Sequence, residues 1–371
     1  MVVVKAVIGA NYGDEGKGLM TDYFCHQALE ADKNAKCLNV LTNGGSQRGH
    51  TVQVNNLRHI FHHFGSGTFA GADTYIPAQF VSNPLIFVEE YKLLNKDTRF
   101  TPRPRINNNC LVSTPFDMIY NILFMTEQGL NNSCGYGVYE TKRRNGANFI
   151  RYACMTDNEI EKDLLDIRDV YYKQKMEENN IHLSGNWKNA YYSDNLINNF
   201  IQDFRSMQHI CTPVCDQDYL FDHYDTIIFE NAQGLLLDKD YDPEYGTSSN
   251  TGLKAVFDII GDRKDLDIEA CYVSRTYLTR HGDGKLDDEI DFGFVDKTNV
   301  YNPFQGNLRY ANINYEALYE RIKIDSSPYK VKTTIALTHA DEIKPDENFS
   351  YNYISNGPTR DCVNSHNLIL L

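Results

Sequence analysis

Three side chains set among glycines carry the chemistry that can be read from this sequence: Asp14, Lys17 and His50. Gly9, Gly13, Gly16 and Gly18 fall close together, so the backbone can turn sharply and bring its N–H groups against an anion, with Lys17 as a point charge for phosphate. Asn11 stands where a G-x-x-x-x-G-K-[ST] loop has its first glycine, and Gly18 replaces that loop's hydroxyl residue, so the cradle is of another kind. A carboxylate inside a phosphate cradle is costly unless it holds a cation or takes a proton from substrate, which marks Asp14 as a candidate base and metal ligand. The competing interpretation makes Asp14 and Glu15 a solvated turn before a helix, whose first turn favours acids. A second glycine turn, Asn43 to Thr51, carries His50, and an imidazole there suits acid catalysis near neutral pH. The alternative is a surface histidine in a turn.

Both turns follow runs that read as buried parallel strands. Val2 to Ile8 is mostly β-branched, Leu19 to Leu29 reads as a docking helix, and Cys37 to Thr42 as the next strand. This order predicts an α/β fold with a mostly parallel central sheet flanked by helices. Thr226 to Phe229 and Ala270 to Tyr277 are further strands that end in polar turns, and ligands collect at the carboxyl ends of such strands. Asp157 to Asn180 is charged with recurrent apolar positions, as in an amphipathic surface helix, while Asn186 to Asn199 reads as a loop or a short helix. We expect one domain over 1–371 with a helical insertion at 151–216.

Composition narrows the class. The 371 residues are 42% hydrophobic and 23% charged, enough for a large core. A formal charge of −14 argues against general affinity for nucleic acid or anionic membrane, so any phosphate ligand must be met by local basic groups. Nine cysteines, an odd number, fit reduced thiols, and Cys211 and Cys215 lack the further ligands of a zinc site. With no signal sequence and no membrane-length apolar run, a cytoplasmic location is expected.

The motifs Gly13-Asp-Glu-Gly-Lys-Gly18 and Gly44-Gly-Ser-Gln-Arg-Gly-His-Thr51 resemble those of the adenylosuccinate synthetase family. That family joins L-aspartate to IMP with GTP and Mg²⁺. The resemblance implies that Asp14, Lys17 and His50 are catalytic, that Gly13, Gly16, Gly18, Gly49 and Thr51 surround nucleotide phosphate, and that Asp14 and the Gly49 carbonyl hold the metal. Phe61 to Gly67 is similar to the family's strand before its first connecting loop. Asn131 to Glu140 sits at the family's phosphate loop, which implies roles for Asn131 and Asn132 at the purine monophosphate. Arg143 stands where an arginine reaches the neighbouring subunit's nucleotide, implying a homodimer. Without the resemblance, Lys142 to Arg144 read as a solvated helix end.

Gln233, in Glu230-Asn-Ala-Gln-Gly234, resembles the glutamine that reads the purine base, and an amide can donate and accept at a 6-oxopurine edge. Thr251 ends a Thr-Ser-Ser-Asn-Thr run implied to hold the monophosphate, though such a run also caps helices. Arg280 falls beside the ribose and aspartate sites. Gln305 and Arg309 lie in the aspartate-binding loop, which has one arginine here where the family has several. Asp341 and His339 resemble the guanine-reading element, with histidine in place of lysine, and Ser355 and Gly357 the turn that closes on the same base.

In the implied chemistry Asp14 removes the N1 proton of IMP, O6 takes the γ-phosphoryl group, and His50 donates to O6 or to the developing charge. Aspartate then displaces phosphate from C6. Two alternatives stay open. A viral branch acts on dGMP and usually has serine in place of the loop aspartate; Asp14 favours IMP, whereas the short chain, Gln47 and the reduced arginine loop fit a viral or specialised paralogue. A nucleotide-sensing protein that has lost ligation is the other.

Overall fold

The computed structural model describes residues 2–98, 100–129, 133–144, 150–152, 155–247, 249–263, 265–293 and 306–366. Ten strands form one sheet: β1 (Val3–Gly9), β2 (Cys37–Leu41), β3 (Asp73–Ile76), β4 (Arg105–Asn107), β5 (Thr212–Val214), β6 (Thr226–Glu230), β7 (Asp267–Arg275), β8 (Lys332–Thr338), β9 (Tyr353–Ser355) and β10 (Val363–Ser365). Their order is β10-β9-β8-β7-β1-β6-β2-β3-β4-β5, and only the β9–β10 pair is antiparallel. The expected α/β class with a mostly parallel sheet is therefore the observed one.

The sheet is parallel because its central strands are apolar on both faces. Ile8, Ile227 and Phe229 face one packed layer with Leu253, Val256, Leu318 and Ile322, and Val7, Ile228 and Cys271 face another with Met20 and Phe24. Each such side chain contributes about 1.5–3 kcal/mol through burial. Helix α1 (Lys17–Ala31) is buried from Lys17 through Cys25, which fixes its N-terminus at the carboxyl edge of β1.

Helices α2 (Pro84–Thr98) and α3 (Pro115–Gln128) lead to the short α4 (Val138–Arg143). From Asp157 to Glu178 the chain is helical with a π-helical turn at Ile167–Tyr172, followed by helices Gly185–Tyr191 and Asp194–Ile210. Ile160, Leu164, Ile167, Tyr172 and Met176 bury the amphipathic face that their spacing predicts. Asp117 ties this layer to the rest, accepting from Arg144 Nε at 2.6 Å and Tyr172 Oη at 2.5 Å.

One expectation fails. Phe61–Gly67 is not a strand: Phe61 ends the strand Leu57–Phe61, and Ser66–Ala70 is a 3₁₀ turn. Its N–H groups are satisfied by side chains rather than a ladder, His62 and His63 by Glu90, Gly65 by Thr74, Ser66 by Glu230 and Gly67 by Asn39. No helix among the described residues is long and apolar enough to cross a membrane.

Candidate active site

Five neighbouring strands end at one place: β8, β7, β1, β6 and β2 deliver Thr338, Arg275, the 10–16 loop, Glu230 and the 43–49 turn. The loop after β1 needs left-handed backbone at Gly13 (φ 92), Asp14 (φ 59) and Gly16 (φ 90), and the strained Asp14 is held through its carbonyl by Arg275 Nε at 2.7 Å. Gly16 caps α1 without a side-chain cap bond, so the helix N-terminus is open to an anion. A Cβ on Gly18 would stand 3.1 Å from His50 Cβ, so glycine there lets the two turns touch.

Glu15 is not in a solvated turn. It is 1% exposed and accepts from Asn11 N at 3.0 Å, Gly13 N at 2.8 Å and Lys17 Nζ at 2.6 Å. The Gly13 N–H and the Lys17 charge, expected on phosphate, are thus met by a carboxylate, and an incoming phosphate must draw Lys17 away. Thr338 Oγ1 donates to Glu15 O at 2.7 Å, clamping β8 to the loop.

His50 is not a surface histidine. Its Nδ1 lies 2.6 Å from Glu230 Oε1, which also accepts from Arg48 at 2.7 Å and from Ser66 Oγ. Burial and then the Arg48 charge hold the imidazole down at about 4. Burial alone would raise the Glu230 carboxyl, but Arg48, His50 and Ser66 hold it well below the carboxylate range. The ion pair is therefore Arg48–Glu230, and His50 is a neutral ring donating from Nδ1 with a bare Nε2. The Nε2 of such a ring is an acceptor, so the donation expected of His50 requires that it first gain a proton. Arg48 Nε and Nη1 and, in the turn after β6, Asn231 Oδ1 and Gln233 Oε1 are enclosed without partners.

The family model for adenylosuccinate synthetase matches residues 6–307. The chain belongs to the adenylosuccinate synthetase family. It is 28% identical over 297 residues to the Lactobacillus acidophilus adenylosuccinate synthetase and 28% identical over 310 residues to one from Clostridium botulinum, covering 77% and 76% of this chain. The chain spans only 65% of the length of these relatives. Among solved structures it is similar to the fully ligated adenylosuccinate synthetase of Plasmodium falciparum, with TM-score 0.66 and 21% identity over 92% of this chain and 78% of that one. It is also similar to the succinoaminodeoxyadenylate synthetase of cyanophage S-2L bound to dGMP and to dATP as an energy donor, with TM-score 0.68 and 15% identity over 98% and 95%.

The other positions picked out by the resemblance to adenylosuccinate synthetases divide. Gln233 (φ 65) sits after β6, and its turn is tied to the 43–49 turn by Asn43 Oδ1 accepting from Ala232 N at 2.7 Å. Gly49 is exposed, and Thr51 pairs with Ile60 on a hairpin. Thr251 is fully buried, its N–H and hydroxyl on Asp238 at 2.9 and 3.3 Å, so it braces a turn. Arg143 is exposed, 5.3 Å from the Tyr139 ring centre. Arg280 donates to Asp242 at 2.8 Å beside Tyr12. Arg309, paired with Arg280 across a hairpin, donates to Gly282 O, Gly284 O and Glu289. In the element expected to read guanine, His339 (φ 59) has its Nδ1 2.9 Å from Thr338 Oγ1, and Asp341 is exposed beyond it. Ser355 donates through its hydroxyl to Gly357 O at 2.6 Å and accepts Ala340 N through its carbonyl at 3.1 Å, joining the 339–341 and 355–357 segments. Asn131, Asn132 and Gln305 lie outside the described residues.

Glu15, Arg48, Glu230, Arg275 and Lys142 were missed as working residues. Lys142 Nζ donates to Ser249 Oγ at 2.9 Å, and burial holds it down at about 8.

Proposed function

We propose that this protein is a ligase of purine biosynthesis that joins L-aspartate to C6 of a purine monophosphate, IMP with GTP as donor, through phosphoryl activation of O6. The observation that carries the reading is Asp14, a carboxylate held in left-handed backbone beside an open helix N-terminus and the His50–Glu230–Arg48 cluster. Asp14 takes the proton from N1, and O6 attacks the γ-phosphorus as its bond to the β-bridging oxygen breaks. The incoming phosphate charge favours protonation of His50, which then donates from Nε2. Lys17 passes from Glu15 to the phosphates. The amine of aspartate then forms the C6–N bond, the C6–O6 bond breaks and phosphate leaves. The Glu289 carboxylate on Arg309 is half-exposed and so exchangeable for that of a substrate, and Arg309 and Gln305 are assigned to aspartate.

Asp14 and the Gly49 carbonyl fit Mg²⁺, a hard cation that takes a few oxygens from protein and the rest from phosphate and water; no cluster of three His, Cys, Asp or Glu set for a metal exists among the described residues. It would supply charge neutralisation on the transferring group. Asn131, Asn132, Gln233, Thr251 and Arg280 are assigned to the purine monophosphate, His339, Asp341, Ser355 and Gly357 to guanine, and Arg143 to a partner copy in a homodimer. Residues 151–216 are read as a helical insertion.

A second reading is favoured by the near end-to-end likeness to the phage synthetase, which covers 98% of this chain and 95% of that one. In it the substrate is dGMP and the donor dATP. The test is product formation with Mg²⁺ and L-aspartate, crossing IMP, GMP and dGMP against GTP, ATP and dATP. A succinylated nucleotide from IMP supports the first reading, one from dGMP alone the second, and none from any pair overturns ligation in favour of nucleotide sensing.

A further inference from the structure

His281 has no part in the chemistry above, yet it touches the proposed base. Its Nε2 lies 3.5 Å from Asp14 Oδ2, with the imidazole 16% and the carboxylate 30% exposed. Its Nδ1 is enclosed without a partner. A carboxylate oxygen is met by an N–H, and an orphan lone pair is easier to bury than an orphan N–H, so the hydrogen belongs on Nε2. The turn that presents His281 is itself held: Arg309 donates to Gly282 O at 2.9 Å and Gly284 O at 2.8 Å, and both glycines take positive φ, 69° and 106°.

The backbone of Asp14 is pinned independently by Arg275 on its carbonyl. What remains free is the rotation of its carboxylate. We propose that His281 is a positioning residue that fixes this carboxylate, holding Oδ2 so that the other oxygen faces the substrate N1–H. The separation is long for a hydrogen bond, as catalytic contacts often are before substrate tightens them. The inference rests on the reading of Asp14 as the base. It also gives Arg309 a second task, since the same guanidinium that is assigned to aspartate braces the turn.

The test compares His281→Ala and His281→Gln in the full chain. A misplaced carboxylate costs rate rather than binding, so the alanine variant is expected to lose about 10–100-fold in kcat with both nucleotide KM values within about twofold, and glutamine, which restores an N–H, to recover most of the loss. A kcat within about twofold of the parent, or a glutamine variant no better than alanine, overturns the proposal. A separate readout covers failure of the ligase reading, shown by a parent protein that makes no succinylated product. The His281 ring nitrogens are then read by ¹⁵N NMR in the parent and in Asp14→Asn. The proposal expects a ring protonated at Nε2 whose Nε2 signal shifts in Asp14→Asn; a ring protonated at Nδ1, or an Nε2 signal that the substitution leaves unmoved, contradicts it.

Discussion

Arg48 and Glu230 are both wholly buried and their charges are shared with His50 and Ser66, whereas across the site Arg309 meets Glu289 with side chains 28% and 47% exposed. The first flank joins the last residue of β6 to the turn after β2, in the middle of the sheet; the second comes from a two-stranded pair, Leu278–Arg280 with Arg309–Ala311, outside it. A buried pair cannot change partners without a large desolvation cost, while a half-exposed pair exchanges carboxylates readily. The flank proposed for phosphoryl transfer is therefore preorganised, and the flank proposed for the amino acid is adaptable. The loop before it holds a single arginine, where the resemblance to the family implies several.

The largest effect is expected on the preorganised side, at Asp14. Asp14→Asn is expected to lower turnover about a thousand-fold or more while nucleotide affinity, measured by calorimetry, stays within about threefold. Stability separates the flanks next. Glu230→Ala leaves Arg48 buried without a counter-charge and is expected to cost about 3–5 kcal/mol in denaturant unfolding, against less than about 1 kcal/mol for Glu289→Ala. Arg309→Leu is expected to raise the KM for aspartate about 10-fold with that for the purine within about twofold, as loss of a charged hydrogen bond would.

The pH response concerns one group. Burial and Arg48 lower His50 from its ordinary value to about 4, so the unfolded chain binds its proton first as pH falls. Its contribution to stability is full above about pH 6.5 and is lost as pH drops toward 4, by up to about 3 kcal/mol. His50→Asn should flatten the stability profile across that window. In NMR titration the His50 ring should stay neutral to near pH 4, and Arg48→Met should move its midpoint upward.

Much of this was legible in the residues. The β-branched run ending in Gly9, the glycines around Asp14 and the alternation of strands and helices are local signals, and they placed β1, α1 and β2 to within a residue or two. The partners were not legible, because Glu15–Lys17 turns on burial and Glu230–Arg48–His50 joins positions 180 residues apart. The Phe61–Gly67 segment misled because its apolar residues look like a strand while its N–H groups bond to distant side chains. Arg309 was read from loop position alone, and its bonds to Gly282 and Gly284 depend on the hairpin.

Whether O6 is activated at all can be read by following the purine oxygen. IMP labelled with ¹⁸O at O6 is incubated with the protein, Mg²⁺, GTP and L-aspartate, and the released phosphate is examined by mass spectrometry. Activation of O6 predicts one ¹⁸O in each phosphate formed, in step with the succinylated product. Unlabelled phosphate, with the label still on the purine, would mean that the nucleotide is hydrolysed without reaching O6, which contradicts phosphoryl activation of the base.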